Sequence, residues 1–139
     1  MEMEVSKRIG FNAAHYLPGY KGKCSRMHGH YWVVEVACSG SINEQGFVVD
    51  FTLLKNFLEI IERRFDHNLV NDIIKMPTAE NIVLNILVDF KLWCLVHEVR
   101  WSYVKVWETE DSCATIINTP SRVVTKPINR IKIGVPKYR

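Results

Sequence analysis

The feature that most constrains the fold is the order in which strand-like and helix-like patterns follow one another. Four stretches are rich in β-branched and aromatic residues, as strands are. Between the second and the third lie two stretches in which apolar residues recur every three or four positions, as on one face of a helix. The predicted strands cover residues 3–14, 28–40, 99–108 and 113–117, and the predicted helices run from about 51 to 65 and from 79 to 97.

This ββααββ order predicts an α+β fold, with a four-stranded antiparallel sheet and both helices on one of its faces. Asp50 or Thr52 is expected to cap the first helix and Thr78 the second. The other sheet face, with bulky residues such as Trp32 or Tyr103, would be exposed in a monomer. We therefore expect a homo-oligomer that closes sheets together.

Three histidines form a candidate metal site. His28 and His30 stand two residues apart on a predicted strand, so their side chains project from the same face. His15 ends the preceding strand and falls opposite them if the two strands pair as a wide hairpin. Three neutral imidazoles with an open fourth position are typical of a catalytic zinc. A His-x-His pair on a strand is also common without any metal, so the pattern alone leaves both interpretations open.

Other polar residues are candidates for chemistry. Cys24 lies in the loop before His28, close enough to act on whatever occupies the open position. Asp66-His67 follows the first helix as a possible proton-exchanging pair, although a histidine at a helix C-terminus is, taken alone, better explained by the dipole. Glu80, in the first turn of the second helix, is also explained by the dipole. Glu108 ends an apolar strand on the side of its apolar residues, where a carboxylate needs a donor partner such as a guanidine-like ring edge.

Composition and charge narrow the class of protein. Of 139 residues, 47% are hydrophobic and 24% charged, as in a globular domain. The net charge of +3 comes from residues 118–139, which hold six basic and no acidic side chains, and this argues against a nucleic-acid-binding domain. No stretch resembles a signal peptide or a membrane span. The cysteines lack C-x-x-C spacing, which indicates a reduced, cytoplasmic protein, with Cys38, Cys94 and Cys113 as small core residues.

Six motifs, in this order, resemble the family of 6-pyruvoyltetrahydropterin and 6-carboxytetrahydropterin synthases. The resemblance runs from about residue 11 to residue 117, so we expect a family domain at 1–117 and a basic C-terminal extension at 118–139. The motifs are Phe11-Asn12-Ala13-Ala14-His15, Cys24 followed after three intervening residues by His28-Gly29-His30, Gly46-Phe47-Val48-Val49-Asp50-Phe51, Asp66-His67, Pro77-Thr78-Ala79-Glu80-Asn81 and Glu108-Thr109.

The resemblance implies the tunnelling fold, in which trimers close a barrel and two trimers stack into a hexamer. It implies that zinc is bound by His15, His28 and His30 and holds the side chain of a pterin triphosphate. Cys24 is then similar to the family's general base. The resemblance also implies that Asp66 and His67 act as a proton relay from across a subunit interface. It implies that Glu108 anchors the pterin ring and that Glu80 and Thr78 also bind the substrate.

The gap of three residues between Cys24 and His28 resembles the 6-carboxytetrahydropterin synthases of queuosine and archaeosine biosynthesis. This similarity predicts conversion of 7,8-dihydroneopterin triphosphate to 6-carboxy-5,6,7,8-tetrahydropterin, with release of acetaldehyde and triphosphate. One alternative is a 6-pyruvoyltetrahydropterin synthase. Another is a non-catalytic, zinc-stabilised module that binds pterins and uses Cys24 as the fourth zinc ligand.

Overall fold

The computed structural model describes residues 1–120 and has the expected order of elements. The four strands form one antiparallel sheet in the order β1-β2-β3-β4, with β1 and β4 at its edges. The predicted basic extension covers residues 118–139, and its part from residue 121 onward lies outside the described residues. The elements are β1 (Glu2–His15), β2 (His28–Ser41), α1 (Phe51–Phe65), α2 (Ala79–Val96), β3 (Arg100–Thr109) and β4 (Ser112–Ile117).

Both helices begin at the capping residues that the sequence indicates. The Asp50 carboxylate accepts a hydrogen bond from the Thr52 amide at 2.8 Å, and the Thr78 hydroxyl accepts one from the Asn81 amide at 3.2 Å. Each cap satisfies an amide that has no partner inside its helix. The residue before the Thr78 cap lies beside the sheet end that carries the histidines, because the Pro77 carbonyl is 2.8 Å from His15 Nδ1.

The apolar sides of α1 and α2 pack on one face of the sheet, as predicted, and form the core with it. Phe11 of β1 stacks on Phe65 of α1 with ring centroids 5.5 Å apart, and Phe57 and Phe90 join the two helices at 5.3 Å. These side chains are buried, which makes the helix–sheet contact the main apolar burial of the domain. Neither helix among residues 1–120 is long and apolar enough to cross a bilayer.

The expectation that Trp32 lies on the exposed sheet face is wrong. Its side chain is fully buried under the helices, and its indole N–H donates to the Ala13 carbonyl at 3.2 Å. The reason is the alternation of strand residues, which places Trp32 on the same face as His28 and His30. Tyr103 does lie on the opposite face, where its hydroxyl donates to Glu35 at 3.0 Å.

The four cysteines do not share one environment. Cys38 and Cys94 are buried, as predicted, and burial raises the pKa of Cys38 to about 11 and that of Cys94 to about 12. Cys113 is exposed, so its assignment to the core is wrong. It lies on the edge strand β4, opposite Trp107, and the neighbouring Ala114 takes the inward position instead.

Candidate metal centre and active site

The three histidines converge at the end of the β1–β2 hairpin. His15 pairs with His28 in the register, and His30 lies two residues further along β2. Each offers one ring nitrogen, and these three nitrogens lie within 4.8 Å of one another. His15 is 1% exposed. The hairpin thus collects three imidazole nitrogens at one point, which is the donor set of a zinc site with an open position.

Hydrogen bonds to backbone carbonyls orient two of these rings. His15 Nδ1 lies 2.8 Å from the Pro77 carbonyl, and His28 Nδ1 lies 2.7 Å from the Arg26 carbonyl. A carbonyl only accepts, so both Nδ1 atoms carry the proton and both Nε2 atoms present lone pairs in the neutral rings. This partner on the second nitrogen is typical of metal-binding histidines.

The arrangement of lone pairs calls for a cation. His15 Nε2 and His28 Nε2 face each other at 3.1 Å. Two unprotonated nitrogens at that distance repel unless a proton or a metal ion lies between them. Ligand atoms about 2.0 Å from a tetrahedral zinc are roughly 3.3 Å apart, so the observed spacing fits a shared metal ion.

Burial favours the neutral form of His30, which is the form that binds metals. Desolvation lowers the pKa of His30, and the nearby charge of Glu108, which acts in the opposite direction, offsets this only in part. The Trp32 ring packs edge-on against His15 at 5.0 Å and against His30 at 5.4 Å between ring centroids. The apolar ring of Trp32 therefore bounds the site on the side that faces the core.

Glu108 reaches the histidines from β3. Its Oε1 lies 3.3 Å from His15 Nε2 and 3.7 Å from His30 Nε2. Its side chain is 33% exposed, so it is less buried than the sequence pattern indicates. Glu108 also lines a cavity of about 220 Å³ together with Thr78 and Glu80, at the start of α2. The three residues expected to bind substrate thus lie around one cavity beside the histidines.

Asp66 and His67 form a pair at the edge of β1. His67 Nδ1 donates to Asp66 Oδ2 at 2.7 Å, and the Asn12 amide donates to Asp66 Oδ1 at 3.0 Å. The hydrogen bond from His67, followed by that from Asn12, lowers the pKa of the Asp66 carboxyl. His67 and His30 line the same open depression of about 540 Å³. The His67 side chain is 80% exposed.

Cys24 stands apart from both groups. It lies in a single 3₁₀ turn, Lys23–Ser25, and is partly exposed. Within residues 1–120, its sulfur is not in the group of mutually close ligand atoms, and no hydrogen bond joins it to Asp66 or His67. One chain therefore brings together the histidines and Glu108, but does not connect the thiol to the Asp–His pair.

Sequence reasoning missed the residues that orient His15. Asn71 donates through Nδ2 to the Tyr16 carbonyl at 2.9 Å and accepts from the Tyr16 amide at 3.0 Å. These two hydrogen bonds fix the position of the backbone directly after His15. The Pro77 and Arg26 carbonyls were missed too, because the residue type carries no signal for a backbone oxygen.

The fold and the site together define a class, namely small α+β domains that collect three histidines at the end of a β-hairpin as a candidate metal centre. The sequence profile of the family described as 6-pyruvoyl tetrahydropterin synthase matches residues 4–118. The chain belongs to this family, which confirms the resemblance drawn from the motifs.

Individual relatives share most of the domain. A protein of Archaeoglobus fulgidus named putative 6-carboxy-5,6,7,8-tetrahydropterin synthase is 43% identical over 115 residues, covering 83% of this chain and 96% of its own. A Pyrococcus furiosus protein named dihydroneopterin monophosphate aldolase is 32% identical over 108 residues, 78% of this chain and 91% of its own. The structure of Caenorhabditis elegans 6-pyruvoyl tetrahydropterin synthase has the same fold, with a TM-score of 0.75 at 22% identity, over 86% of this chain and 97% of that one.

Proposed function

We propose that this protein is a zinc-dependent enzyme that converts 7,8-dihydroneopterin triphosphate to 6-carboxy-5,6,7,8-tetrahydropterin, with release of acetaldehyde and triphosphate. The observation that carries the proposal is the convergence of three imidazole nitrogens and the Glu108 carboxylate beside one cavity. The 43% identity to the Archaeoglobus fulgidus protein supports this product, which would serve queuosine or archaeosine biosynthesis.

The metal and the substrate have separate places in the proposed site. His15, His28 and His30 would hold the zinc ion, which supplies a Lewis acid that makes the side-chain hydroxyls and the adjacent C–H of the substrate more acidic. Glu108, at the cavity, accepts hydrogen bonds from the N–H edge of the pterin ring. Glu80 and Thr78 bound the same cavity and contact the ring from the α2 side.

Cys24 is the proposed general base. A thiol has an ordinary pKa near 8.5, so a nearby cation or proton acceptor is needed to bring it towards thiolate at neutral pH. Asp66 and His67 are the proposed relay that takes the proton onward. The Asp66 carboxylate fixes His67 Nδ1 as a donor, which leaves His67 Nε2 free to accept.

The relay is proposed to act across a subunit interface, in a hexamer of two stacked trimers. Two observations support this. His67 is 80% exposed and has no hydrogen bond to the Cys24 of its own chain within residues 1–120. The sheet also has two edge strands, β1 and β4, that can pair with neighbouring copies to close a barrel. The partners are then the pterin triphosphate and further copies of the chain, without nucleic acid or membrane.

The proposal also includes the cellular compartment and the domain boundaries. All four cysteines are free, which suits a reducing cytoplasm. We place the enzyme domain at 1–117 and treat 118–139 as a basic extension of it.

A second candidate is an aldolase acting on a related pterin, favoured by the 32% identity to the Pyrococcus furiosus protein. Cleavage of a carbon–carbon bond in the same side chain needs the same kinds of group, a base and a Lewis acid beside the hydroxyls.

The 6-pyruvoyl activity remains a third outcome. The non-catalytic module is less well supported, because Cys24 is outside the group of mutually close ligand atoms.

The test is a product assay of the zinc-loaded protein with 7,8-dihydroneopterin triphosphate, beside Cys24→Ala. We expect acetaldehyde and 6-carboxytetrahydropterin from the wild type, and loss of turnover with retention of zinc in Cys24→Ala. Incubation with dihydroneopterin monophosphate, followed by detection of a cleaved aldehyde, tests the aldolase. Zinc loss from Cys24→Ala, with no turnover of either substrate by the wild type, would instead identify the cysteine as a ligand and refute the proposed function.

A further inference from the structure

The Glu108 carboxylate contacts the same atoms that would bind the metal. Its Oε1 lies 3.3 Å from His15 Nε2 and 3.7 Å from His30 Nε2. Anchoring a pterin ring gives no reason for a carboxylate oxygen to approach imidazole nitrogens in the substrate-free protein. The contact therefore needs its own explanation.

The protonation pattern rules out an ordinary hydrogen bond between neutral His15 and Glu108. His15 Nδ1 carries the proton because it donates to the Pro77 carbonyl at 2.8 Å, so Nε2 presents a lone pair. A carboxylate oxygen also presents only lone pairs. Two such atoms at 3.3 Å need a positive charge between them, which is either a second proton on the His15 ring or a metal ion.

The two shortest distances between these candidate ligand atoms match a single tetrahedral ion. The edge from His15 to His28 is 3.1 Å and the edge from His15 to Glu108 is 3.3 Å, against roughly 3.3 Å between ligands of a tetrahedral zinc. The edge from His30 to Glu108, at 3.7 Å, is slightly longer. Carboxylate oxygens are ordinary zinc ligands, at about 2.0–2.2 Å.

We propose that Glu108 supplies the fourth, exchangeable ligand of the metal in the substrate-free protein, and that the pterin ring removes it on binding. This inference rests on the proposed function, since it takes the histidine site to be a metal site. It assigns the closing ligand to Glu108 in place of the Cys24 thiol.

The position of Glu108 suits such an exchange. Its side chain is one third exposed and borders the 220 Å³ cavity on one side and the histidines on the other. A rotation about its side-chain bonds moves the carboxylate between the two. The metal's fourth position then opens only when a pterin occupies the cavity, so that substrate binding and metal exposure are coupled.

The experiment replaces zinc by Co²⁺, whose visible absorption reports the number and type of ligands, and compares the wild type with Glu108→Gln. We expect Glu108→Gln to change the spectrum and to weaken Co²⁺ binding by about tenfold or more. Glu80→Gln is the matched control, because Glu80 borders the same cavity and, within residues 1–120, forms no salt bridge with a histidine. Its Co²⁺ spectrum and affinity should equal those of the wild type.

6-Methylpterin, which has the pterin ring but no side-chain hydroxyls to bind the metal, tests the exchange. Its binding, followed by its fluorescence, should change the spectrum of the Co²⁺-loaded wild type. Binding of 6-methylpterin without any change in the wild-type spectrum would overturn the exchange.

The other outcomes separate this inference from the proposed function. Identical spectra and affinities for the wild type and Glu108→Gln would overturn the ligand assignment while leaving the metal site intact. Failure of the wild type to bind Co²⁺ at all would overturn the metal site and the proposed function with it. A crystal structure of the zinc-loaded, substrate-free wild type gives a check without any variant: a Glu108 oxygen within about 2.2 Å of zinc is expected, and a Glu108 turned away from it refutes the assignment.

Discussion

The two hydrogen bonds between Asn71 and the Tyr16 backbone hold the chain at the residue after His15. Asn71→Ala removes both and leaves a partly buried amide and carbonyl without their protein partner. A typical intramolecular hydrogen bond contributes about 0.5–1.5 kcal/mol net, so we expect the free energy of unfolding to fall by about 1–3 kcal/mol. The His15 ring loses its fixed backbone at the same time.

Metal affinity should fall together with stability. Removing a group that orients a ligand typically costs about 10–100-fold in metal affinity. We expect the lower end of this range for Asn71→Ala, because the Pro77 carbonyl still holds His15 Nδ1. The assay is urea unfolding of the metal-free protein at fixed protein concentration, with zinc affinity measured in parallel by competition with a chelator.

Two further variants make the test specific. Asn71→Asp keeps an acceptor for the Tyr16 amide but loses the donor to the Tyr16 carbonyl, so its effect should be intermediate. Asn118→Ala is the matched control, because Asn118 also donates to a backbone carbonyl, that of Trp101, at the far end of the sheet. It should leave zinc affinity unchanged. Stability of Asn71→Ala within about 0.5 kcal/mol of wild type, with zinc affinity equal to that of Asn118→Ala, would refute the reasoning.

Two other predictions concern titratable groups. Because burial raises the pKa of Cys38 to about 11 and that of Cys94 to about 12, neither should react with Ellman's reagent at pH 8 until the protein is denatured; rapid labelling of either in the native state would contradict their burial. The hydrogen bond from His67 lowers the pKa of Asp66 in the folded protein. The stabilisation that the Asp66 carboxylate provides should therefore be complete above the pKa of an aspartate in the unfolded chain, about 3.9, and should be lost as the pH falls through the pKa of Asp66 in the folded protein. Unfolding measured against pH should therefore show wild type and Asp66→Asn converging in acid, and a constant difference down to the lowest pH would contradict the shift.

The element order could be predicted because it depends on local patterns. The apolar residues of α1 recur at helical spacing, and Asp50 and Thr78 are typical caps, so both helices begin where the sequence indicates. The face of Trp32 was wrongly predicted, although the alternation that unites His28 with His30 also includes Trp32. The size of an aromatic side chain does not decide which sheet face it occupies, whereas the strand period does.

The convergence of the three histidines could be predicted, and the groups that orient them could not. His28 and His30 are two residues apart, so their common face follows from strand geometry alone. The partner of His15 is a carbonyl 62 residues away, and every residue has the same carbonyl. The contact between Glu108 and His15 likewise depends on how β3 pairs with β2, which no local pattern specifies.

The pairing of β1 with β2 also has a consequence for the order of folding. The two strands are joined by the loop of residues 16–27, and the pair nearest that loop is His15 with His28. All three imidazole nitrogens therefore belong to one hairpin, which is local in sequence and costs little chain entropy to close. A metal ion bound there closes the loop as a crosslink would, and it stabilises the hairpin by restricting the unfolded chain. In the proposed enzyme, the hairpin can bind the metal ion before α1 and α2 dock, and Glu108 joins only when β3 completes the sheet.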